Sequence, residues 1–200
     1  MGSEMCIRDS GKACHMKFTT TSIKGLVVIE PDIFRDDRGW FLEIFNLQTF
    51  KSGLLALGLN SPDYFVQDNV SSSKKGVVRG LHYQHEPYAQ GKLVSVLHGA
   101  VFDVAVDLRP DSISYGEWFA LELSAVNKKM VWIPAGFAHG FLSLEEDTCV
   151  SYKVDKYYNK DSEQSVVWDD ANLGIQWPTL AEYYLSDKDK SAPAFVKLPV

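Results

Sequence analysis

Short runs of β-forming residues recur along this chain at intervals of roughly ten residues, and this spacing restricts the fold more than any other feature. Turn-forming residues separate the runs, as in Asp37-Arg38-Gly39 and Pro134-Ala135-Gly136. Helical periodicity is confined to residues 47–57 and a weaker stretch at 181–185. The pattern predicts an all-β sandwich or barrel. The runs lie at residues 25–30, 39–45, 64–69, 92–97, 101–108, 117–123, 130–133, 140–144 and 148–154.

Length and charge narrow the class of protein further. A chain of 200 residues with 46% hydrophobic and 23% charged residues fits a single globular domain. Its 20 Lys and Arg against 26 Asp and Glu give a net charge of −6, which argues against a nucleic acid or an anionic membrane as partner. No apolar run approaches the roughly 20 residues of a membrane span. A soluble, cytoplasmic protein is therefore expected.

The first fifteen residues differ in character from the rest. They lack the apolar core of about 7–15 residues that a secretory signal needs, and they end at a His15-Met16 junction typical of cloning vectors. Residues 1–15 are therefore interpreted as a vector-derived leader, the alternative being a native tail. Residues 16–200 then form the single predicted domain. This domain holds one cysteine, Cys149, which favours a reducing compartment.

Two segments carry the candidate chemistry. RGLHYQHEPYAQGKLVSVLHG, residues 79–99, holds three of the five histidines, and IPAGFAHGF supplies Pro134, Gly136 and His139 in the order P-x-G-x-x-H. Together they resemble the cupin double-stranded β-helix, a jelly roll. Metal-binding cupins place a second histidine and a glutamate where this chain has Gln84 and Lys92. Because an ammonium repels a divalent cation, we expect a pocket that handles negative charge without a metal or cofactor.

A finer resemblance covers about residues 18–193. The segments FRDDRGWFLEIF, FVQDNVS, GVVRGLHYQ, QGKL, YKVDKYYNKDSE and LSDKDKSAP follow one another as in the dTDP-4-dehydrorhamnose 3,5-epimerase family. The resemblance implies epimerisation of dTDP-4-dehydro-6-deoxy-D-glucose at carbons 3 and 5, through deprotonation beside the ketone and reprotonation on the opposite face. A single-carbon epimerase, a ketoisomerase of a related sugar, a non-catalytic nucleotide-sugar barrel and a metal-dependent cupin are the alternatives.

The resemblance also assigns roles to residues. It places the base at His82 and its carboxylate partner at Asp189, with Asp187 as a neighbouring alternative. Lys92 is expected to stabilise the enolate, since an ammonium lowers the cost of the developing charge. Tyr158 is expected to donate the proton on the far face. The alternatives for that acid are Tyr157, Tyr152 and a bound water.

The remaining predicted site residues bind the nucleotide sugar. Arginine suits a diphosphate because its guanidinium binds phosphate through two parallel hydrogen bonds. The resemblance further implies a homodimer in which N-terminal strands lend residues to the partner's site, so that Arg38 or Glu43 acts across the interface. The predicted substrate-binding residues are Phe34, Arg38, Glu43, Gln67, Asn69, Arg79, His139 and Tyr152.

Overall fold

The computed structural model describes residues 16–196, whose regular structure is mostly β-strand. The predicted leader, residues 1–15, lies outside the described residues, as do residues 197–200. In the described part of the chain, no helix is both long and apolar enough to cross a membrane. The strands are β1 Met16–Thr20, β2 Val27–Pro31, β3 Phe34–Asp36, β4 Gly39–Phe41, β5 Gln67–Ser73, β6 Val78–Gln84, β7 Lys92–His98, β8 Ala100–Asp107, β9 Trp118–Ser124, β10 Met130–Ile133, β11 Phe137–Ser143, β12 Thr148–Val154 and β13 Glu163–Ser165.

Short helices connect some of these strands. Within residues 16–196 they are α1 Leu47–Ala56, a 3₁₀ helix Lys160–Ser162 and α2 Asp187–Lys190. α1 begins where the Asn46 side chain accepts hydrogen bonds from the backbone N–H groups of Gln48 and Thr49. These bonds satisfy donors that the first turn of a helix leaves without a partner. The helix predicted at residues 47–57 is therefore confirmed.

The second predicted helix, at residues 181–185, is wrong. Tyr184 lies in an extended segment, where its N–H donates to Gly76 O at 2.8 Å and its carbonyl accepts from Val78 N at 2.9 Å. These bonds form a parallel bridge beside the start of β6. α2 starts only after this segment, capped by Ser186, whose Oγ accepts from the backbone N–H of Asp189.

The strands form two sheets and a separate hairpin. One sheet has six strands in the order β1-β2-β10-β7-β12-β5, and the other has five in the order β13-β6-β11-β8-β9. Neighbours in space are mostly distant in sequence and pair antiparallel, as in a jelly roll. β3 and β4 pair only with each other within the described residues. The predicted all-β architecture is therefore the observed one.

Alternation along the strands decides which side chains enter the space between the sheets. Successive strand residues point to opposite faces. On β7, Val94 and Val96 are buried between the sheets, and Lys92 belongs to the same row two residues earlier. The strand register therefore carries Lys92 to the interior together with its apolar neighbours. Other buried members of this core are Val101, Ala105, Leu123, Val131, Ile133, Phe137, Phe141 and Val150.

The outer faces of both sheets are covered. α1 lays Phe50 and Leu54 over the six-stranded sheet, where they pack with Trp132. The segment that follows β13 covers the five-stranded sheet, and its buried residues Val166, Leu173, Ile175 and Phe195 pack with Leu81, Val104, Val106 and Ala138. This second contact brings the C-terminal part of the chain back to β6. The packing of this C-terminal part therefore determines which of its side chains reach the barrel interior.

Replacing Phe50 with alanine should destabilise the protein by about 3–5 kcal/mol, because the side chain is 1% exposed and its removal leaves a cavity against Trp132. Leu55→Ala in the same helix is the matched control, since Leu55 is 75% exposed. It should change the free energy of unfolding by no more than about 0.5 kcal/mol. Urea denaturation followed by circular dichroism measures both. Equal effects of the two variants would contradict this packing.

Candidate active site

A histidine and an aspartate, 107 positions apart in sequence, form the centre of the site. His82 Nε2 lies 2.5 Å from Asp189 Oδ1. Burial, the largest single influence, acts to raise the pKa of Asp189, which is 4% exposed, but the hydrogen bond and charge of His82 together with Ser186 and Lys188 hold the pKa of the carboxyl below its ordinary value. Asp189 is therefore a carboxylate at neutral pH. Its contact with Nε2 fixes the orientation of the imidazole.

Two glycines bring the strands around His82 unusually close together. Gly80 on β6 has a positive φ of 125°, and a Cβ atom there would lie 2.5 Å from Gly140 Cα on β11. Only glycine fits this approach. The register pairs His139 with His82 directly. The close approach therefore sets two histidines side by side on neighbouring strands.

Lys92 is buried in the same cavity. It is 9% exposed, and its Nζ donates to His82 O at 3.4 Å. Burial lowers the pKa of Lys92 to about 8, and the negative charges of Asp103 and Glu163 limit the fall. Most molecules therefore keep the ammonium at neutral pH. The cavity holds a positive charge that bulk water screens poorly.

His139 has an acidic partner that the sequence analysis missed. His139 Nε2 lies 2.8 Å from Asp103 Oδ2, and both side chains are buried. The other oxygen, Asp103 Oδ1, is buried without a hydrogen-bond partner among the described residues. The available signal was a single charge within the otherwise apolar run VFDVAV of β8. A buried carboxylate of this kind needs a cationic neighbour, and Lys92 supplies that charge.

Two tyrosines line the cavity in different surroundings. Tyr152 projects from β12, in the sheet opposite His82, and burial raises the pKa of its phenol. Tyr158 lies in the loop after β12, is 54% exposed and donates from its OH to Glu163 Oε2 at 2.9 Å. That hydrogen bond raises the pKa of Tyr158. Both phenols are therefore protonated at neutral pH, and Tyr152 is the deeper one.

The cavity has two adjoining lobes that share His82, Lys92 and Tyr152. The larger, of about 490 Å³, is lined also by Arg79, His139, Lys188 and Asp189. The smaller, of about 300 Å³, is lined also by Gln67, Asn69, Tyr158 and Glu163. The structure thus brings together five predicted substrate-binding residues and all four predicted catalytic residues. These five are Gln67, Asn69, Arg79, His139 and Tyr152.

Three predicted binding residues lie elsewhere in the protomer. Phe34 and Arg38 belong to the β3–β4 hairpin, where Arg38 Nη2 lies 2.5 Å from Asp36 Oδ2. Glu43 follows the hairpin and accepts a hydrogen bond from Asn46 Nδ2 at 3.3 Å. None of the three lines either lobe. This chain therefore does not bring them to its own cavity.

The residues at the cupin metal positions do not fit a metal. Both polar atoms of the Gln84 side chain are hydrogen-bonded to the backbone. Its Nε2 donates to Tyr88 O at 2.6 Å, and its Oε1 accepts from Asn159 N at 2.8 Å. Lys92 supplies a cation in place of a carboxylate. Among residues 16–196, no group of three or more His, Cys, Asp or Glu side chains is arranged to hold a metal ion.

Two further polar residues were missed by the sequence analysis. Glu163 Oε2 accepts from Tyr158 and lies 2.5 Å from Lys188 Nζ. Burial opposes its ionisation, but these contacts, led by Lys188, lower the pKa of Glu163. Both residues sit inside segments already singled out, DKYYNKDSE and LSDKD. No pattern in those segments distinguishes them from the neighbouring acids and lysines.

Comparison with known proteins identifies the family. A family model described as dTDP-4-dehydrorhamnose 3,5-epimerase matches residues 20–197. The chain belongs to this family. A curated epimerase of Sinorhizobium fredii is 47% identical over 186 residues, 92% of each chain. The predicted family and isomerase class are confirmed.

Solved structures of 3,5-epimerases agree in fold. The enzyme of Elizabethkingia anophelis is 49% identical, with a TM-score of 0.84 over 90% of this chain and 97% of that one. The enzyme of Legionella pneumophila, in complex with dTDP-4-keto-L-rhamnose, is 47% identical, with a TM-score of 0.84 over 90% and 93%. The predicted cupin-type fold is confirmed.

Asp103→Asn should lower the pKa of Lys92 below about 8, because it removes a negative charge that favours the ammonium. Nuclear magnetic resonance of labelled lysine side chains measures this titration, with the Lys92 signal assigned by its loss in Lys92→Met. Asp68→Asn is the control, since Asp68 pairs with Lys153 on the surface and not with Lys92. An unchanged Lys92 titration in Asp103→Asn would contradict the coupling.

Proposed function

We propose that this cavity epimerises dTDP-4-dehydro-6-deoxy-D-glucose at carbons 3 and 5, giving dTDP-4-dehydro-L-rhamnose for dTDP-L-rhamnose biosynthesis. The observation that carries the proposal is the approach of His82 and Tyr152 to one cavity from opposite sheets. Inversion of a carbon beside a ketone requires a base and an acid on opposite faces of the sugar. Family membership supports the same reaction.

His82 removes the proton beside the ketone. Its Nε2 faces the Asp189 carboxylate, so in the neutral imidazole Nε2–H donates to Asp189 and Nδ1 carries the free lone pair. Nδ1 is then the atom that accepts the substrate proton. The imidazolium that results is stabilised by Asp189, whose lowered pKa keeps it ionised.

Lys92 stabilises the enolate that this step creates. Its buried ammonium meets the negative charge developing on the ketone oxygen in a medium of low dielectric, where such an interaction is strong. With a pKa of about 8, the ammonium is present at neutral pH and is lost as the pH rises through that value. The chemistry needs no redox cofactor, and none is proposed.

Two tyrosines are candidates for the acid that donates the proton on the opposite face of the sugar. Sequence register favours Tyr158, whose OH is instead engaged with Glu163 at the exposed mouth. Tyr152 is half-buried and lies on the wall that faces His82. We therefore assign proton donation to Tyr152 and keep Tyr158 as the competing candidate. Both assignments give the same reaction.

The surrounding residues suit a nucleotide diphosphate sugar. Arg79 donates from Nε to Ser73 Oγ at 3.1 Å, which holds its guanidinium at the cavity wall for the diphosphate. The amides of Gln67 and Asn69, joined by a hydrogen bond of 2.9 Å, offer donors and acceptors in the smaller lobe. We also propose a cytoplasmic location, because residues 16–200 hold a single cysteine, Cys149, and this favours a reducing compartment.

We also propose a homodimer with shared sites. The β3–β4 hairpin exposes Trp40 and Phe41, 53% and 46% respectively, which is costly for large apolar side chains in water. The predicted binding residues Phe34, Arg38 and Glu43 lie in or beside this hairpin and outside their own cavity. A hairpin that reaches the second protomer's cavity accounts for both features.

His82→Ala should abolish exchange of substrate protons with deuterated water, because no enolate forms. Tyr152→Phe should keep that exchange while formation of inverted product falls by about 10²–10⁴-fold. Tyr157→Phe is the control, since Tyr157 is 67% exposed and lines neither lobe. Incubation with dTDP-4-dehydro-6-deoxy-D-glucose in deuterated water, followed by nuclear magnetic resonance at each carbon, measures both steps.

Each result of this experiment decides an assignment. Loss of inversion in Tyr158→Phe with normal inversion in Tyr152→Phe would move the acid to Tyr158. Exchange and inversion at one carbon only would identify a single-carbon epimerase. Migration of the ketone to another carbon would identify a ketoisomerase. Full exchange in His82→Ala would overturn the base assignment.

Mixing two inactive variants tests the shared sites. If Arg38 serves the partner's cavity, His82→Ala and Arg38→Ala protomers should together regain about one quarter of wild-type activity, because half of the mixed dimers are heterodimers with one intact site. Each variant alone should stay nearly inactive. A solution mass of one protomer with full activity, or no recovery on mixing, would contradict the proposal.

A further inference from the structure

The carboxylate that faces His82 belongs to a very short helix. α2 has four residues, far fewer than an isolated helix needs for stability in water, so the chain on either side of it must hold it in place. Upstream, backbone hydrogen bonds join Tyr184 to the start of β6. Downstream, the chain is held again at residues 193–195. The position of Asp189 depends on both attachments.

The downstream attachment consists of two hydrogen bonds to the segment that covers the five-stranded sheet. Pro193 O accepts from Val167 N at 2.8 Å, and Phe195 N donates to Asp170 Oδ2 at 2.8 Å. The first bond joins backbone to backbone, whereas the second ends on a side chain. The Asp170 carboxyl therefore fixes the backbone of the segment that follows α2.

Asp170 is itself held firmly. Its side chain is buried, and its Oδ1 accepts from Asn172 N at 2.8 Å and from Leu173 N at 3.1 Å. Leu173 packs on the five-stranded sheet, and its carbonyl accepts from Trp118 Nε1 at 3.0 Å. A carboxyl group that accepts three N–H donors has little freedom to move. The anchor for residues 193–195 is thus fixed to strand β9.

The link between this anchor and α2 is short and stiff. Ala192 N donates to Asp189 O at 3.4 Å. Ser191 Oγ donates to Asp187 O at 2.8 Å, so both residues after the helix stay bonded to it. The next residue is Pro193, whose ring fixes its own φ and restricts the residue before it. A shift of the backbone at Pro193 is therefore passed on to α2.

We propose that Asp170 is a positioning residue, which holds the segment after α2 so that the Asp189 carboxylate meets His82. The inference rests on the proposed role of His82 as base. Asp170 lines neither lobe of the cavity, so it acts through Asp189 and not on the substrate. Its effect is on the placement of one carboxylate, and a displacement of about 1 Å near reacting groups lowers rates by about 10²-fold.

The first experiment replaces the anchor. Asp170→Asn keeps the size of the side chain but exchanges one acceptor oxygen for an NH₂ group, so one of the three N–H donors loses its partner. Proton exchange in deuterated water and kcat should fall together by about 10- to 100-fold, with KM nearly unchanged. Asp169→Asn is the matched control, because the exposed Asp169 side chain makes no hydrogen bond or ion pair within residues 16–196. It should behave as wild type.

Nuclear magnetic resonance of the histidines shows whether the effect reaches His82. In the wild type, Asp189 holds the neutral imidazole with its proton on Nε2. Long-range proton–nitrogen spectra of histidine-labelled protein report which ring nitrogen carries the proton, and His82→Ala assigns the signals. Asp170→Asn should show a mixture of both tautomers, and Asp169→Asn the single form. Lost activity with the single form retained would contradict the inference.

A second background separates positioning from substrate binding. In Asp189→Asn, the carboxylate that Asp170 positions is gone, so adding Asp170→Asn should lower exchange no further. An additive loss in the double variant, or a raised KM with unchanged kcat in Asp170→Asn alone, would overturn the inference. Wild-type exchange in folded Asp170→Asn would do the same.

Two further variants separate positioning from loss of stability. Phe50→Ala weakens the packing on the six-stranded sheet, away from α2, so exchange should stay at the wild-type rate wherever this variant remains folded. Pro193→Gly loosens the link to α2 without removing a buried side chain, since Pro193 is exposed. It should lower exchange by about 10-fold. If Asp170→Asn does not fold, wild-type exchange in Pro193→Gly refutes the inference.

Failure of the base assignment has a different signature. If His82→Ala retained exchange, the proposed function would fail, while the tautomer of His82 would still report whether Asp170 positions Asp189. If His82→Ala and Asp189→Asn lost exchange while Asp170→Asn matched wild type, only the positioning role would fail. Melting temperatures of all variants, measured in parallel, identify those that are folded.

Discussion

The contact between His82 and Asp189 is the interaction on which the site depends. It joins a strand near the middle of the chain to a four-residue helix near its end. The contact exists only because the segment after β13 packs its apolar residues on the outer face of the five-stranded sheet and returns to β6. Burial of apolar surface on the outside of the barrel therefore supplies the carboxylate that the inside requires.

Strand alternation explains why much of the site could be predicted from sequence. Arg79 is the exception, because it lies an odd three residues from His82 and reaches the cavity through the register shift between β6 and β11. His82 and Lys92 lie in continuous motifs whose register determines their row, and the structure brings both to that cavity. Gln67 and Asn69 follow the same rule on β5. In such segments, short-range sequence carries nearly all the information that places a side chain.

The remaining site residues depend on contacts between distant segments. Asp103 and Glu163 look like ordinary charged residues until sheet pairing brings them to His139 and Tyr158, and Lys188 looks so until α2 brings it to Glu163. The mistaken helix at residues 181–185 has the same cause, because bonds to Gly76 and Val78 hold Tyr184 extended against its local pattern. Tertiary pairing overrides local preference at these positions.

Lys92 stands where metal-binding cupins have a glutamate, and this exchange of a negative for a positive charge explains how the same fold can serve proton transfer. In a cupin, a carboxylate beside two histidines collects a divalent cation, whereas Lys92 delivers a fixed positive charge to the same interior. A buried ammonium loses hydration, and the falling pKa of Lys92 reflects that cost. The carboxylates of Asp103 and Glu163 limit the fall, so the charge survives at neutral pH. In the proposed mechanism, the cavity thus keeps the electrophilic part of metal chemistry and leaves His82 to exchange the proton.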